Sequence, residues 1–305
     1  MALDDATTRL LQNGAEAGGP PLHEMNPQQM REMNDAMTPL FGDGPDIATV
    51  RDEELTAADG STFPVRIFQP DDARGVIVYY HGGGWIIGSL SGFDTLCRLI
   101  ADRTQHTVVL VEYRKAPEVR FPGAFDDAWT ALEYADRHRA DLASADAPLI
   151  VAGDSSGGNL AAAVAQRAAQ EGAPTIAFQA LVYPVTDADF TTESYEDPAN
   201  ALMLAKEAMV VFWDAYVPDP ADRTDPRATP LNGSAQGAPP ALVLLAEHDV
   251  LRSEGAAYAA KLRDAGVPVE EHVIPGQMHG FFTMPNVLPG SARAIDILAD
   301  AVARV

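Results

Sequence analysis

Hydrophobic and polar residues follow two alternating periods along most of the chain after residue 75. Short runs rich in β-branched and aromatic residues, typical of buried strands, are followed by longer segments whose apolar residues recur every three or four positions, typical of helices. The strand-like runs are GVIVYYHG, TVVLVEY, LIVAGD, TIAFQALVYP, ALVLLAEHD and VEEHVIPG. The helix-like segments include FDTLCRLIADR, FDDAWTALEYADRH, GGNLAAAVAQRAAQEG, EGAAYAAKLRDAG and ARAIDILADAVARV. This order predicts a mostly parallel sheet with helices on both faces.

Two segments interrupt this rhythm. Residues 1–45 have a helical pattern, in which Asn26 and Pro27 suit the N-cap and the first position of a helix. Residues 188–235 contain another helical stretch, LAKEAMVVFWDAYV, between proline-rich loops. We expect both segments to form one helical cap over the carboxyl edge of the sheet, where open α/β sheets bind ligands. The predicted core then consists of residues 46–187 and 236–305.

Composition and charge restrict the class of partner. The chain has 305 residues, of which 47% are hydrophobic and 21% charged, as in a soluble globular protein with a sizeable core. Its formal net charge of -23 repels a phosphate backbone or an anionic membrane surface. We therefore expect no nucleic-acid partner.

The single cysteine and the lengths of the apolar runs indicate the cellular compartment. Cys97 has no second cysteine to pair with, and its neighbours LCRLIA predict a buried structural thiol on a helix face. The sequence MALDDATTRLLQNGAEAGG lacks the pattern of a signal peptide, and no apolar run approaches the ~18 residues that span a bilayer. These features predict a cytoplasmic protein without a membrane span.

The stretch LIVAGDSSGGN contains the candidate nucleophile. A strand that ends near Gly153 and a helix that begins by Gly158 leave only a tight turn, and such an elbow needs small residues around an exposed nucleophile. The pattern G-x-S-x-G fits when it is centred on Ser155 but not when it is centred on Ser156. Ser155 is therefore the candidate nucleophile, and the backbone N–H of Ser156 is a candidate oxyanion donor.

A serine nucleophile requires a base and an acid that orients the base. Only three of the seven histidines follow Ser155, and of these His279 lies in a loop after the last predicted strand. His279 is the candidate base. The acid is Asp249 or Glu247 at the end of ALVLLAEHD, and we favour Asp249 because it lies further into the loop. Asp187 also follows a predicted strand and precedes His279, but its position is more typical of a turn or cap residue than of the acid.

The stretch HGGGW directly follows a predicted strand. Its glycines allow a close approach to substrate and direct N–H groups at a developing oxyanion. We expect Gly83 and Gly84 to form the oxyanion hole with Ser156, and His81 to hydrogen-bond the loop. A phosphate cradle is the competing interpretation, but no Gly-Lys-Ser/Thr follows.

Six blocks together resemble one family. HGGGW, EYRKAPE, GDSSGGN, YPVTD, AEHDVLRSEG and MHGF occur in the order and approximate spacing of the hormone-sensitive lipase family, the microbial family IV carboxylesterases. The resemblance covers nearly the whole chain and implies the α/β-hydrolase fold, with a mostly parallel sheet and a helical cap. It implies hydrolysis of short- to medium-chain acyl esters by Ser155, Asp249 and His279 without a metal or other cofactor. Glu118 in EYRKAPE matches a family position that anchors backbone near the site.

The candidate pocket residues are large apolar side chains. Met30, Met33 and Met37 lie at helical spacing, which is equally consistent with a pliable lining and with packing of the cap. The same two interpretations apply to the aromatic residues Trp85, Phe212, Trp213 and Phe281.

Two other functions remain possible from the sequence, and the oligomeric state stays open. HGGGW also fits the His-Gly-Gly-x-Trp pattern of kynurenine formamidases, so an amidase or arylformamidase is the rival enzyme. A ligand receptor on the hydrolase scaffold is the rival from another class, although such receptors have damaged triads. The C-terminal helix ARAIDILADAVARV offers an apolar face either to a homodimer or to the core of one subunit.

Overall fold

The structure, a computed structural model, describes residues 2–305, so that Met1 of the predicted segment 1–45 lies outside it. The described residues contain an eight-stranded sheet with the order β1-β2-β4-β3-β5-β6-β7-β8. β2 pairs antiparallel with β1 and β4, and all the other pairs are parallel. The strands are β1 (Thr49–Thr56), β2 (Thr62–Gln69), β3 (Val76–Tyr80), β4 (Thr107–Val111), β5 (Leu149–Asp154), β6 (Phe178–Val182), β7 (Ala241–His248) and β8 (Val269–Met278). The predicted mostly parallel sheet is confirmed.

Ten α-helices accompany the sheet within residues 2–305. They are α1 (Asp5–Ala17), α2 (Pro27–Met37), α3 (Asp94–Thr104), α4 (Gly123–Arg137), α5 (Arg139–Leu142), α6 (Ser156–Glu171), α7 (Glu193–Glu196), α8 (Lys206–Tyr216), α9 (Arg252–Asp264) and α10 (Pro289–Val302). Short 3₁₀ helices lie at Leu22–Glu24, Thr38–Phe41, Pro198–Asn200, Pro220–Thr224, Pro230–Asn232 and Phe281–Thr283. None of these helices is long and apolar enough to cross a membrane.

The central strands are buried on both faces because helices cover each face. In β3, the alternate side chains Val76, Val78 and Tyr80 belong to one hydrophobic cluster and Ile77 and Tyr79 to another. The first cluster includes residues of α4, α6 and α9, and the second includes residues of α3 and α10. The period of two along a strand thus divides the core into two layers.

The terminal helix and the cysteine both belong to the second layer. Helix α10 packs on α3 with Ile295, Leu298 and Val302 buried. Its apolar face therefore completes the core of this chain. Cys97 is fully buried on α3, as predicted, and burial raises the pKa of its thiol well above the ordinary value.

The N-terminal segment, residues 2–45, begins its second helix as the sequence predicts. Asn26 is the N-cap, and its side chain accepts a hydrogen bond from the backbone N–H of Gln29 at 3.0 Å. The Gln29 side chain accepts one from the Asn26 N–H at 2.9 Å, so both orphan donors are satisfied. Met30 is fully buried and fixes the helix on the core.

The inserted segment, residues 188–235, lies between β6 and β7. It leaves and rejoins the core at nearly one point, because the N–H of Leu231 donates to the carbonyl of Thr186 at 3.0 Å. Residues of this segment and of the N-terminal segment line one cavity, together with residues that follow the carboxyl ends of β3, β5 and β8.

Candidate active site

Ser155 occupies the turn between β5 and α6. Its backbone has φ 55° and ψ -119°, a strained conformation for a residue with a side chain. The turn is held because the Ser155 N–H donates to the carbonyl of Val182 at 2.9 Å. Gly157 must lack a side chain, since a Cβ there would lie 2.6 Å from the carbonyl oxygen of His81. The tight elbow therefore explains the glycine pattern around the serine.

The structure brings Ser155, His279 and Asp249 into one hydrogen-bonded chain. His279 Nε2 lies 3.1 Å from Ser155 Oγ, and His279 Nδ1 lies 2.8 Å from Asp249 Oδ2. Asp249 is fully buried, and its Oδ1 accepts a hydrogen bond from the Leu251 N–H at 2.9 Å. The His279 ring packs on Tyr183 with ring centroids 4.6 Å apart. This arrangement can remove the serine proton during attack and orient the imidazole that receives it.

The competing acids have other partners. Glu247 accepts a hydrogen bond from the Gly276 N–H at 2.8 Å, and Asp187 Oδ1 accepts one from the Ala188 N–H at 2.8 Å. Both ring nitrogens of His279 lie within hydrogen-bond distance of other groups, Nδ1 of Asp249 and Nε2 of Ser155. The geometry therefore favours Asp249, which lies past the end of β7.

The turn from Gly83 to Ile87, here called the oxyanion turn, contributes Gly83, Gly84 and Ile87 to the wall of the cavity that Ser155 also lines. Gly83 and Gly84 have φ of 118° and 58°, and the Gly83 carbonyl accepts hydrogen bonds from the N–H groups of Ile86 at 3.0 Å and Ile87 at 2.9 Å. Ser156, the third predicted donor, is the first residue of α6. The first N–H groups of a helix have no partner within the helix, so the N–H of Ser156 is in a position to bind an oxyanion.

His81 is buried next to this region and hydrogen-bonds the loop. Its ring is fully buried, stacks on Tyr113 with centroids 4.3 Å apart, and donates from Nδ1 to the carbonyl of Gly82 at 2.7 Å. Burial lowers the pKa of His81 to about 3, so the imidazole is neutral at physiological pH. A structural role is therefore favoured over that of a second base.

Asp154, the last residue of β5 and the neighbour of the candidate nucleophile, is a functional candidate that the sequence analysis missed. Its buried Oδ1 accepts hydrogen bonds from the Tyr79 hydroxyl at 2.8 Å and from the Gly82 N–H at 3.0 Å. Burial raises the pKa of Asp154 to about 6, although both hydrogen bonds oppose this shift. The carboxyl group joins the elbow to the start of the HGGGW loop. The one sequence signal was an acidic residue at the variable position before the serine.

A cavity of about 500 Å³ opens onto Ser155 and His279. Met33, Met37 and Phe212, three of the predicted pocket residues, lie in its wall. The rest of the wall is mostly apolar and includes Leu10, Leu11, Leu22, Met25, Phe41, Ile87, Phe93, Leu202, Leu204 and Met284. Apart from Ser155, His279 and Asp154, few polar side chains face it. The cavity thus suits an uncharged, largely apolar substrate.

Trp85 and Phe281 do not line this cavity, which corrects their assignment as pocket residues. Trp85 is fully buried because its φ of 58° turns the indole inward, where it stacks on Tyr216 with centroids 4.4 Å apart. Phe281 is also fully buried and packs edge-on against Tyr183. Of the other hydrophobic candidates, Met30 and Trp213 are buried outside the cavity as well.

Met203 is a second residue that the sequence analysis missed. It lies in the irregular stretch before α8, where no periodic pattern marks a buried face. A Cβ built on Gly280, the neighbour of His279, would lie 3.2 Å from the Met203 sulfur and 3.8 Å from the methyl carbon of Met284. Both thioethers therefore face the region next to the candidate base.

Comparison with known proteins identifies the family of this chain. A family model described as the alpha/beta hydrolase fold matches residues 77–283. Carboxylesterase NlhH of Mycobacterium tuberculosis is 42% identical over 254 residues, which are 80% of this chain and 80% of that protein. The ethyl acetate hydrolase of Pseudomonas putida is 37% identical over 308 residues, which are 97% of this chain and 96% of that protein. This chain belongs to the hormone-sensitive lipase family.

A solved structure extends the agreement to the whole chain of this hormone-sensitive lipase family member. The crystal structure of a thermostable esterase from Pseudomonas putida superposes with a TM-score of 0.92 at 32% sequence identity, and it covers 99% of this chain and 97% of that chain. The match includes the N-terminal and inserted segments, so these segments are part of the shared architecture. The predicted family and fold are confirmed.

Proposed function

We propose that the protein hydrolyses short- to medium-chain acyl esters through an acyl-enzyme formed on Ser155. The protein is a carboxylic ester hydrolase, and its relatives include a carboxylesterase and an ethyl acetate hydrolase. The observation that carries the proposal is the continuous hydrogen-bonded chain from Asp249 through His279 to Ser155, which ends in the wall of an apolar cavity.

The reaction follows from the positions of these groups. His279 Nε2 takes the Ser155 proton while Oγ bonds to the ester carbonyl carbon, and Asp249 stabilises the imidazolium. The N–H groups of Gly83, Gly84 and Ser156 stabilise the oxyanion that the carbonyl oxygen becomes. The ester C–O bond then breaks, and His279 returns the proton to the leaving alcohol. Water repeats the sequence on the acyl-enzyme and releases the acid.

The N-terminal and inserted segments are proposed to act together as the cap that sets substrate size. Both supply apolar side chains to the cavity wall, among them Met33, Met37 and Phe212. The volume of about 500 Å³ lies in the lower half of the range of about 300–1,000 Å³ for small-molecule sites. These features support a preference for short and medium chains over long-chain triglycerides.

Hydrolysis of p-nitrophenyl esters from acetate to palmitate tests the proposal. We expect activity to be highest on short chains, Ser155→Ala to abolish it, and Ser156→Ala to change it only modestly. Ser156→Ala is the matched control because its backbone N–H remains, and its hydroxyl has one long contact, 3.5 Å to the Tyr113 hydroxyl. Activity that survives in Ser155→Ala contradicts the assignment of the nucleophile.

The same assay separates the rival functions. A wild type that is inactive on every p-nitrophenyl ester but hydrolyses N-formylkynurenine is an arylformamidase. A wild type that binds an ester tightly without turnover is a receptor.

Location and assembly remain predictions. We expect a cytoplasmic protein with Cys97 reduced, and equilibrium sedimentation distinguishes a homodimer from a monomer. The apolar face of α10 packs on α3, so this helix no longer supports a dimer.

A further inference from the structure

We propose that Arg31, on helix α2 of the N-terminal segment, is a positioning residue that holds the oxyanion turn in its active shape. The inference rests on the proposed function, because the shape of this turn matters only where Gly83 and Gly84 bind an oxyanion. Arg31 lies outside the cavity wall, so it acts through the backbone that it binds.

The guanidinium of Arg31 binds two backbone segments of the core at once. Its Nε donates to the carbonyl of Ile86 at 2.9 Å, and its Nη2 donates to the carbonyl of Ala116 at 3.0 Å. Those two segments are already adjacent, since the Ala116 N–H donates to the carbonyl of Trp85 at 2.8 Å. Arg31 thus completes a short network around the outer side of the oxyanion turn.

The oxyanion turn needs an external support. Its residues Gly83, Gly84 and Trp85 have consecutive positive φ values of 118°, 58° and 58°, a conformation that is unfavourable for the tryptophan. Within the turn, only the two hydrogen bonds to the Gly83 carbonyl oppose relaxation. Ile86 and Ala116 are fully buried residues, and among the described residues Arg31 is the hydrogen-bond donor to both of their carbonyls. Loss of the guanidinium leaves two buried acceptors unsatisfied beside the turn.

The carboxylate of Glu118 has a secondary role in this network. Arg31 donates to both of its oxygens, at 2.9 and 2.7 Å, but the Glu118 side chain is 61% exposed. An exposed ion pair contributes little to stability. Glu118 therefore orients the guanidinium, and the two backbone hydrogen bonds do the positioning.

Arginine is required because its planar fork presents several donors in fixed directions. A lysine at position 31 keeps the charge and the aliphatic stem, but it cannot bind both carbonyls and the carboxylate in this geometry. Replacement by methionine removes the charge as well. The two substitutions should therefore have similar effects on catalysis, although they differ in charge.

The test measures kcat and KM for p-nitrophenyl butyrate in Arg31→Met, Arg31→Lys and Glu118→Gln. Lys206→Met is the matched control, because it breaks an ion pair of the inserted segment, 2.6 Å from Lys206 to Glu196, away from the oxyanion turn. We expect both Arg31 variants to lower kcat by about 10- to 100-fold with KM changed less than about threefold, since a shift of about 1 Å in catalytic groups has effects of this size. Glu118→Gln and Lys206→Met should stay within about threefold of wild type.

Inhibition by an alkyl trifluoromethyl ketone separates positioning from general loss of structure. The ketone adds to Ser155: Oγ bonds to the carbonyl carbon, the C=O π bond becomes the oxyanion, and the serine proton moves to His279. Its Ki should rise in the Arg31 variants by the same factor by which kcat/KM falls, because adduct and transition state use the same donors. A structural role alone lowers the melting temperature without this proportionality.

Three results would overturn the inference: folded Arg31 variants with kcat within threefold of wild type, a rise in KM alone, or a ketone Ki that does not change. Arg31→Lys retains the aliphatic stem and the charge, so the test stands even when Arg31→Met does not fold. Failure of the proposed function is distinguishable, since the wild type itself would then lack ester hydrolysis.

Discussion

Replacement of Gly84 by alanine tests the packing between the oxyanion turn and the inserted segment. An alanine Cβ at this position would lie 2.6 Å from Cδ2 and 2.7 Å from Cδ1 of Phe212, against ordinary carbon contacts of about 3.5–4.0 Å. The overlap of about 1 Å must be relieved by movement of the turn or of α8. The φ of 58° adds a backbone cost of about 1–2 kcal/mol. We expect kcat to fall by about 10²- to 10³-fold, because the turn that moves contains the proposed oxyanion donors.

A control substitution at another glycine separates the backbone cost of the positive φ from the cost of the collision with Phe212. Gly172 has φ 75° and no neighbouring atom within 4 Å of a built Cβ, so Gly172→Ala has a similar backbone cost without a collision. It should lose about 1–2 kcal/mol of unfolding free energy in urea and keep its kcat. The double variant Gly84→Ala/Phe212→Ala removes the ring and should recover at least about tenfold in kcat over Gly84→Ala. Unchanged kcat in folded Gly84→Ala, or no recovery in the double variant, would refute this reasoning.

Three further predictions concern stability and reactivity. Burial raises the pKa of Asp154 to about 6, above the value of about 3.9 in an unfolded chain. The folded state therefore binds more protons than the unfolded state between these pH values, so the free energy of unfolding falls as pH rises through them. Urea unfolding at pH values from 4 to 7 measures this fall, and Asp154→Asn should make it smaller by about 2–3 kcal/mol. Arg114→Met leaves the buried carboxylate of Asp127 unpaired and should destabilise by about 3–5 kcal/mol, whereas Arg103→Met, at an exposed pair, should change unfolding free energy by less than about 1 kcal/mol. Cys97 should react with iodoacetamide only as fast as the protein unfolds, and rapid labelling of the native state would contradict its burial.

The sequence was most informative where local constraints determine structure. The elbow at Ser155 was predictable because the tight turn imposes glycines within two positions, and the N-cap at Asn26 because its partner Gln29 lies three residues away. Trp85 was misassigned because its burial depends on a positive φ and on contact with Tyr216, and its place as the last residue of HGGGW reveals neither.

Long-range contacts explain what the sequence could not predict. The backbone partners of Arg31 lie 55 and 85 residues further along the chain, and no periodic pattern connects them. Met203 lies in an irregular stretch, so only the folded chain places it near Gly280. Asp154 resembles any polar turn residue until the helices around it enclose it.

The hydrogen bond between Leu231 and Thr186 has a consequence for how such enzymes diversify. The two ends of the inserted segment lie next to each other, so a longer, shorter or unrelated sequence can replace the segment without a change in the register of β6 and β7. The N-terminal segment lacks this freedom, because Arg31 ties it to the oxyanion turn. In natural and laboratory evolution, substrate range should therefore change mainly through substitutions in the inserted segment. The part of the cavity wall that the N-terminal segment forms should change more slowly. A library that randomises residues 200–205 should yield more active variants with altered chain-length preference than one that randomises residues 28–33.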